Sequence, residues 1–127
     1  MKFSQRSCLF CVRLILRLLF LQRGDVFALN LSVGLTGEAQ TTVTLSNTAK
    51  ALGSGQLDVF ATPAMVALME EAAVNSLHLP AGQSSVGTSL TIKHNAATPL
   101  GSLVKAKAEL IEIDRKRLVF NVEAWDE

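Results

Sequence analysis

The chain has 127 residues, 49% of them hydrophobic, enough for one domain with a real core and too few for two. A charged fraction of 18% and a formal net charge of +1 leave no electrostatic footprint for DNA or RNA, so no nucleic-acid partner is expected. Both cysteines, Cys8 and Cys11, lie in the first segment, so no disulfide holds the remainder together.

Charge is nevertheless uneven along the chain. Lys2, Arg6, Arg13, Arg17 and Arg23 stand against one acid, Asp25, in residues 1–28, a net of +4 that leaves −3 for residues 29–127. On a helical projection Lys2, Arg6, Arg13 and Arg17 share one narrow arc of an otherwise apolar stretch. Residues 1–28 therefore read as an N-terminal extension with three competing meanings. It is a basic amphipathic transit peptide, a signal or membrane anchor interrupted by Arg13 and Arg17, or a start of the chain unrelated to the fold. A cytoplasmic or mitochondrial location fits these readings. Cys8-x-x-Cys11 lacks the strand-to-helix setting of a redox motif and a second ligand pair for zinc, so it is assigned neither role.

From Leu29 onward the pattern is that of one α+β domain. "EAQTTVTLS" (38–46) is rich in Thr and Val and predicts a strand, and Gly53, Ser54 and Gly55 then mark a loop. Thr62 is placed as the N-cap of a helix with Pro63 at its first position, the helix ending near Leu77 to Pro80. Three alternating stretches follow, Ser84–Ala96, Leu103–Ile113 and Arg117–Trp125, joined by tight connections at Ala97–Ser102 and Asp114–Lys116. A strand, a helix and a run of antiparallel strands make an antiparallel meander with an apolar helix on its inner face.

Two titratable side chains sit awkwardly in this pattern. Met65, Val66, Leu68, Met69, Ala72, Ala73 and Leu77 form one broad apolar face of the helix, with Glu71 nearly opposite and facing solvent or a second copy. Glu70 instead has Val66 and Val74 at its i−4 and i+4 positions, which puts its carboxylate at the edge of the apolar face. A charge there is costly unless it is paired, hydrated or used, so Glu70 is either a side chain reaching past Val74 to water or a tuned acid, base or nucleophile. His94 shares the apolar strand face with Thr88, Leu90, Ile92 and Ala96, and is either a satisfied core histidine or a functional one. His78 lies at the helix end, where a cation complements the dipole, and is read as structural.

The stretches "GSGQLDVFATPAMVALMEEAA", "SSVGTSLTIKHNAATPLGSLVKAKAEL" and "DRKRLVFNVEAWDE" resemble the thioesterase family related to fluoroacetyl-CoA thioesterase, from about Leu29 to Glu127. The motifs x-T-P-x-M-x-x-L-M-E and V-G-T…H-x-A-x-T-P-x-G carry the resemblance. It implies the hot-dog fold, a long helix wrapped by an antiparallel sheet, and a homodimer with acyl-CoA sites at the interface, with pairing of dimers into tetramers left open. It also implies a catalytic threonine, glutamate and histidine at Thr62, Glu70 and His94, and a substrate-contacting glycine at Gly87. No cofactor is implied, and two histidines 16 positions apart make no metal site.

Geometry adds its own reason for a dimer. Eight residues separate Thr62 from Glu70, roughly 12 Å along a helix, so groups acting on one thioester would come partly from a partner chain. Two departures from the resembled family bear on activity. Its members continue into a last strand where this sequence reads "AWDE", so an open edge beside the preceding strand is expected. The aromatic gate six positions before the threonine is replaced by Gln56, so a short-chain or aromatic acyl-CoA is the expected substrate rather than fluoroacetyl-CoA. The alternatives are a non-catalytic acyl-CoA binding module or inactive truncated homologue, and a hydratase or dehydratase acting on an acyl thioester. A membrane-surface role for residues 1–28 ranks below both.

Overall fold

The computed structural model describes residues 8–20 and 30–127. Five strands, β1 (Cys8–Phe20), β2 (Thr36–Thr42), β3 (Gln83–Thr91), β4 (Leu103–Asp114) and β5 (Arg117–Asp126), form one antiparallel sheet in the order β2-β4-β5-β1-β3. A short helix, α1 (Ala49–Leu52), follows β2, and the long helix α2 (Thr62–Leu77) packs on the inner face of the sheet, chiefly against β2, β4 and β5.

Alternation dictates which face each strand buries. Val104, Ala106, Ala108 and Leu110 of β4 and Leu118, Phe120, Val122 and Ala124 of β5 are buried, meeting Met65, Leu68, Met69, Ala72 and Ala73 of α2. Each of the larger side chains contributes about 1.5–3 kcal/mol on leaving water. Small residues let the helix settle close to the sheet. Gly37 of β2 lies so near α2 that an added Cβ would meet the backbone of Ala72 and would stand 2.5 Å from the Ser76 amide nitrogen.

Residues 8–20, grouped in the sequence with an N-terminal extension, form β1 and are hydrogen-bonded between β5 and β3. The open edge expected beside β5 is therefore filled, and the outer strands of the sheet are β2 and β3. The physical reason is visible in the pattern. Leu14, Leu16 and Leu18 are each 1% exposed while Arg13 and Arg17 face water, a period of two. Arginines four apart share a face on a strand as well as on a helix, which is why their helical arc misleads. Lys2, Arg6, Arg23 and Asp25, and with them the rest of the targeting expectation, lie outside the described residues.

The remaining boundaries differ in two places that matter for the site. β3 ends at Thr91, so His94 lies in the irregular stretch beyond it rather than on a strand. The N-cap of α2 is Ala61, with Thr62 and Pro63 inside the first turn and no side chain capping the amides.

Candidate active site

Thr62 is the first residue of α2 and is half-buried. Its hydroxyl, unused for capping, reaches the loop after β3 and lies 2.7 Å from Nδ1 of His94, a short hydrogen bond in which either partner supplies the proton according to the imidazole tautomer. Burial holds the His94 pKa below its ordinary value, because desolvation penalises the imidazolium, while a backbone hydrogen bond at Ala96 pulls weakly the other way. A neutral ring can take or give a proton near pH 7. The pair opens into a cleft of about 260 Å³ bordered by Ala49, Val59, Phe60 and Ala96.

Glu70 lies two turns further along α2, half-buried at the border of the apolar face, whereas Glu71 beside it is exposed. Its carboxylate rests over β3 at Gly87: a Cβ added there would stand 2.9 Å from Oε2 and 3.5 Å from Cδ of Glu70. The register explains this approach. Gly87 pairs with Leu16, whose side chain is buried, so Gly87 faces the helix and its missing side chain makes room for the carboxylate. Among the described residues Glu70 has no ion pair and no hydrogen-bonding partner, so its oxygens remain available to water or to a ligand.

The four residues expected at a site thus form two pairs, Thr62 with His94 and Glu70 with Gly87. On the continuous helix the two pairs are separated by a rise of roughly 12 Å. His78 caps the far end of α2 in a left-handed conformation (φ 47°) and belongs to neither pair. Sequence reasoning missed the strand that positions Gly87, since Leu16 lies far from it along the chain. It also passed over the basic turn Arg115-Lys116-Arg117, whose three adjacent cations are plain in the sequence.

Residues 43–127, two thirds of the chain and the part that holds both pairs, match the family model described as fluoroacetyl-CoA-specific thioesterase (FlK). The chain belongs to this family. Within it, a fluoroacetyl-CoA thioesterase from Streptantibioticus cattleyicolor is 44% identical over 71 residues, covering 54% of this chain. The match spans about half, 51%, of that relative's length.

Solved structures of family members share the fold. A crystal structure of a mutant of the FlK thioesterase superimposes with a TM-score of 0.62 at 27% identity, over 77% of this chain and 89% of that one. A mutant in complex with fluoroacetate and CoA gives a TM-score of 0.62 over 76% and 95% of the two chains, also at 27% identity. A further mutant in complex with acetyl-CoA gives 0.60 at 26% identity, over 76% and 90%. The five-stranded antiparallel sheet curled around α2 is thus the hot-dog fold of this family.

Proposed function

We propose that the chain hydrolyses acyl-CoA thioesters to the free acid and CoA, at sites shared between two protomers. The observation that carries this reading is the Glu70 carboxylate lying uncompensated over the bare backbone of Gly87. A thioester resting against Gly87 has its carbonyl within reach of that carboxylate or of a water held by it. Membership of a family named for thioester hydrolysis supports the same chemistry.

The atoms balance in either route. As general base, Glu70 takes a proton from water while the oxygen adds to the carbonyl carbon. The tetrahedral intermediate then expels the CoA thiolate, which is protonated in turn. As nucleophile, Glu70 adds directly, releases the thiolate and leaves a mixed anhydride that water hydrolyses. In both, amides at the start of a helix or beside Gly87 meet the developing oxyanion, and the Thr62–His94 pair orients water and carries the proton.

The separation of the two pairs along α2 supports a homodimer in which Thr62 and His94 of one protomer face Glu70 and Gly87 of its partner. Tetramers would add nothing to this chemistry. The place beside β5, whose vacancy would favour an inactive fragment, is occupied by β1. Gln56 is exposed and stands where the resembled family carries an aromatic gate, which favours short-chain or aromatic acyl groups over fluoroacetyl.

Mixed dimers test the composite site. Thr62→Ala and Glu70→Gln chains, each well below native activity alone, are unfolded together and refolded as a mixture. One of the two sites in every mixed dimer then carries both intact pairs, and thiol release returns. A mixture as inactive as its components would place each site within one protomer. Mass analysis of the product separates hydrolysis from a hydratase, which would alter the acyl chain and leave the thioester intact.

A further inference from the structure

On the outer face of the sheet, where β1 meets the β4–β5 turn, lies a cavity of about 570 Å³ whose lining includes Arg17, Thr88, Asp114, Arg115, Lys116 and Arg117. Four cations converge there in a domain whose residues 29–127 are otherwise net negative. Arg17 sits directly opposite Arg117 in the β1–β5 register, and like charges facing across strands repel. Two acids, Asp114 and Glu112, stand beside these cations. Asp114 pairs with its neighbour Arg115 at 3.5 Å and Glu112 with Arg117 at 3.2 Å, both exposed pairs of little worth, and Arg17 has no acidic partner among the described residues. The turn is nonetheless held firmly to β1, with the Leu18 amide donating to the Lys116 carbonyl at 2.9 Å.

The position of this cluster relative to Gly87 gives it a meaning. Thr88 follows Gly87 in β3 and borders the cavity, and Leu16, the residue before Arg17, is the partner of Gly87. Successive residues of a strand face opposite sides, so the cavity begins one residue along β3 from the place assigned to the thioester but on the other face, and the arm joining the two would round β3, an outer strand of the sheet. A CoA ester carries its acyl group at one end and three phosphate groups at the other, joined by the pantetheine arm.

We propose that Arg17, Arg115, Lys116 and Arg117 bind the phosphates of the CoA half of the substrate. This assignment rests on the thioesterase reading for its ligand, although the cluster itself does not. Guanidinium groups suit this task because their planar forks donate two hydrogen bonds to one phosphate. An anion between Arg17 and Arg117 also relieves the repulsion that their register imposes.

The test compares each acyl-CoA with the matching acyl-pantetheine, which has the same thioester and no phosphates, in the native chain and in an Arg17→Gln/Arg115→Gln variant. Both positions are exposed, so folding is not at stake. The native chain should show a kcat/KM at least about tenfold higher for acyl-CoA, and the variant should lose most of that preference. An undiminished preference in the variant would overturn the assignment. Titration with adenosine 3′,5′-bisphosphate and with inorganic phosphate supplies the second arm. Weaker bisphosphate binding in the variant supports the site even if no thiol is ever released, an outcome that would sink only the thioesterase reading. Equal binding of both anions would make the cluster a general anion site and contradict its assignment to CoA.

Discussion

The Thr62 hydroxyl and Nδ1 of His94, 32 residues apart in the chain, stand 2.7 Å apart because α2 starts where the loop after β3 passes. Replacing Thr62 with valine keeps the shape and removes the hydrogen bond. Thiol release should fall by about 10- to 100-fold, and stability by about 1 kcal/mol for the lost hydrogen bond. Thr62→Ser should retain most of the activity. Steady-state kinetics and urea denaturation of the two variants check both parts.

Because burial lowers the His94 pKa, the acid limb of the kcat/KM profile is expected below the ordinary histidine value of about 6.5. Stability carries the same sign. The unfolded chain binds the His94 proton more readily than the folded one, so this residue's contribution is fully present above the ordinary pKa. It is lost as pH falls from there through the lowered folded value. NMR titration of the ring reads the pKa directly, and an inflection above 6.5 would contradict the burial.

Gly87→Ala puts a methyl group 2.9 Å from Oε2 of Glu70. The carboxylate is the flexible end of a side chain and can move aside, so the fold should survive with a small loss of stability. Activity should not, since the displaced group no longer reaches a thioester on β3, and a drop of about 100-fold is expected. Circular dichroism beside thiol release separates the two effects.

Much of this arrangement is legible in the sequence. The Thr62-Pro63 start, the apolar face of α2 and the alternation of Leu103–Ile113 and Arg117–Trp125 follow from local chemistry, as does the odd position of Glu70 at the border of that face. Strand alternation points His94 toward the apolar interior, but β3 stops at Thr91 and a loop carries the ring to Thr62. The approach of Glu70 to Gly87 has no local signature. It depends on register across strands, and so does β1, whose partners Asn121 and Thr91 lie more than seventy residues beyond Arg13. Periodicity within residues 8–20 fits two structures, and only a sheet with a vacant place between β5 and β3 decides between them.

That place makes β1 indispensable. Leu16→Asp sets an unpaired carboxylate in the core at a position 1% exposed and should cost several kcal/mol, leaving little folded protein. Arg13→Gln, on the water-facing side of the same strand, should stay within about 0.5 kcal/mol of the native chain. Thermal denaturation distinguishes them. Equal melting temperatures would mean that the strand is not part of the sheet in solution.

Thiol release from a panel of short, branched and aromatic acyl-CoAs, measured for the native chain beside Glu70→Gln, bears most directly on the proposed activity. Turnover of at least one substrate by the native chain is expected, with a loss of about 100-fold or more in the variant, the usual weight of a working acid or base. A folded, dimeric chain that releases no thiol, or a variant as active as the native chain, would contradict this expectation.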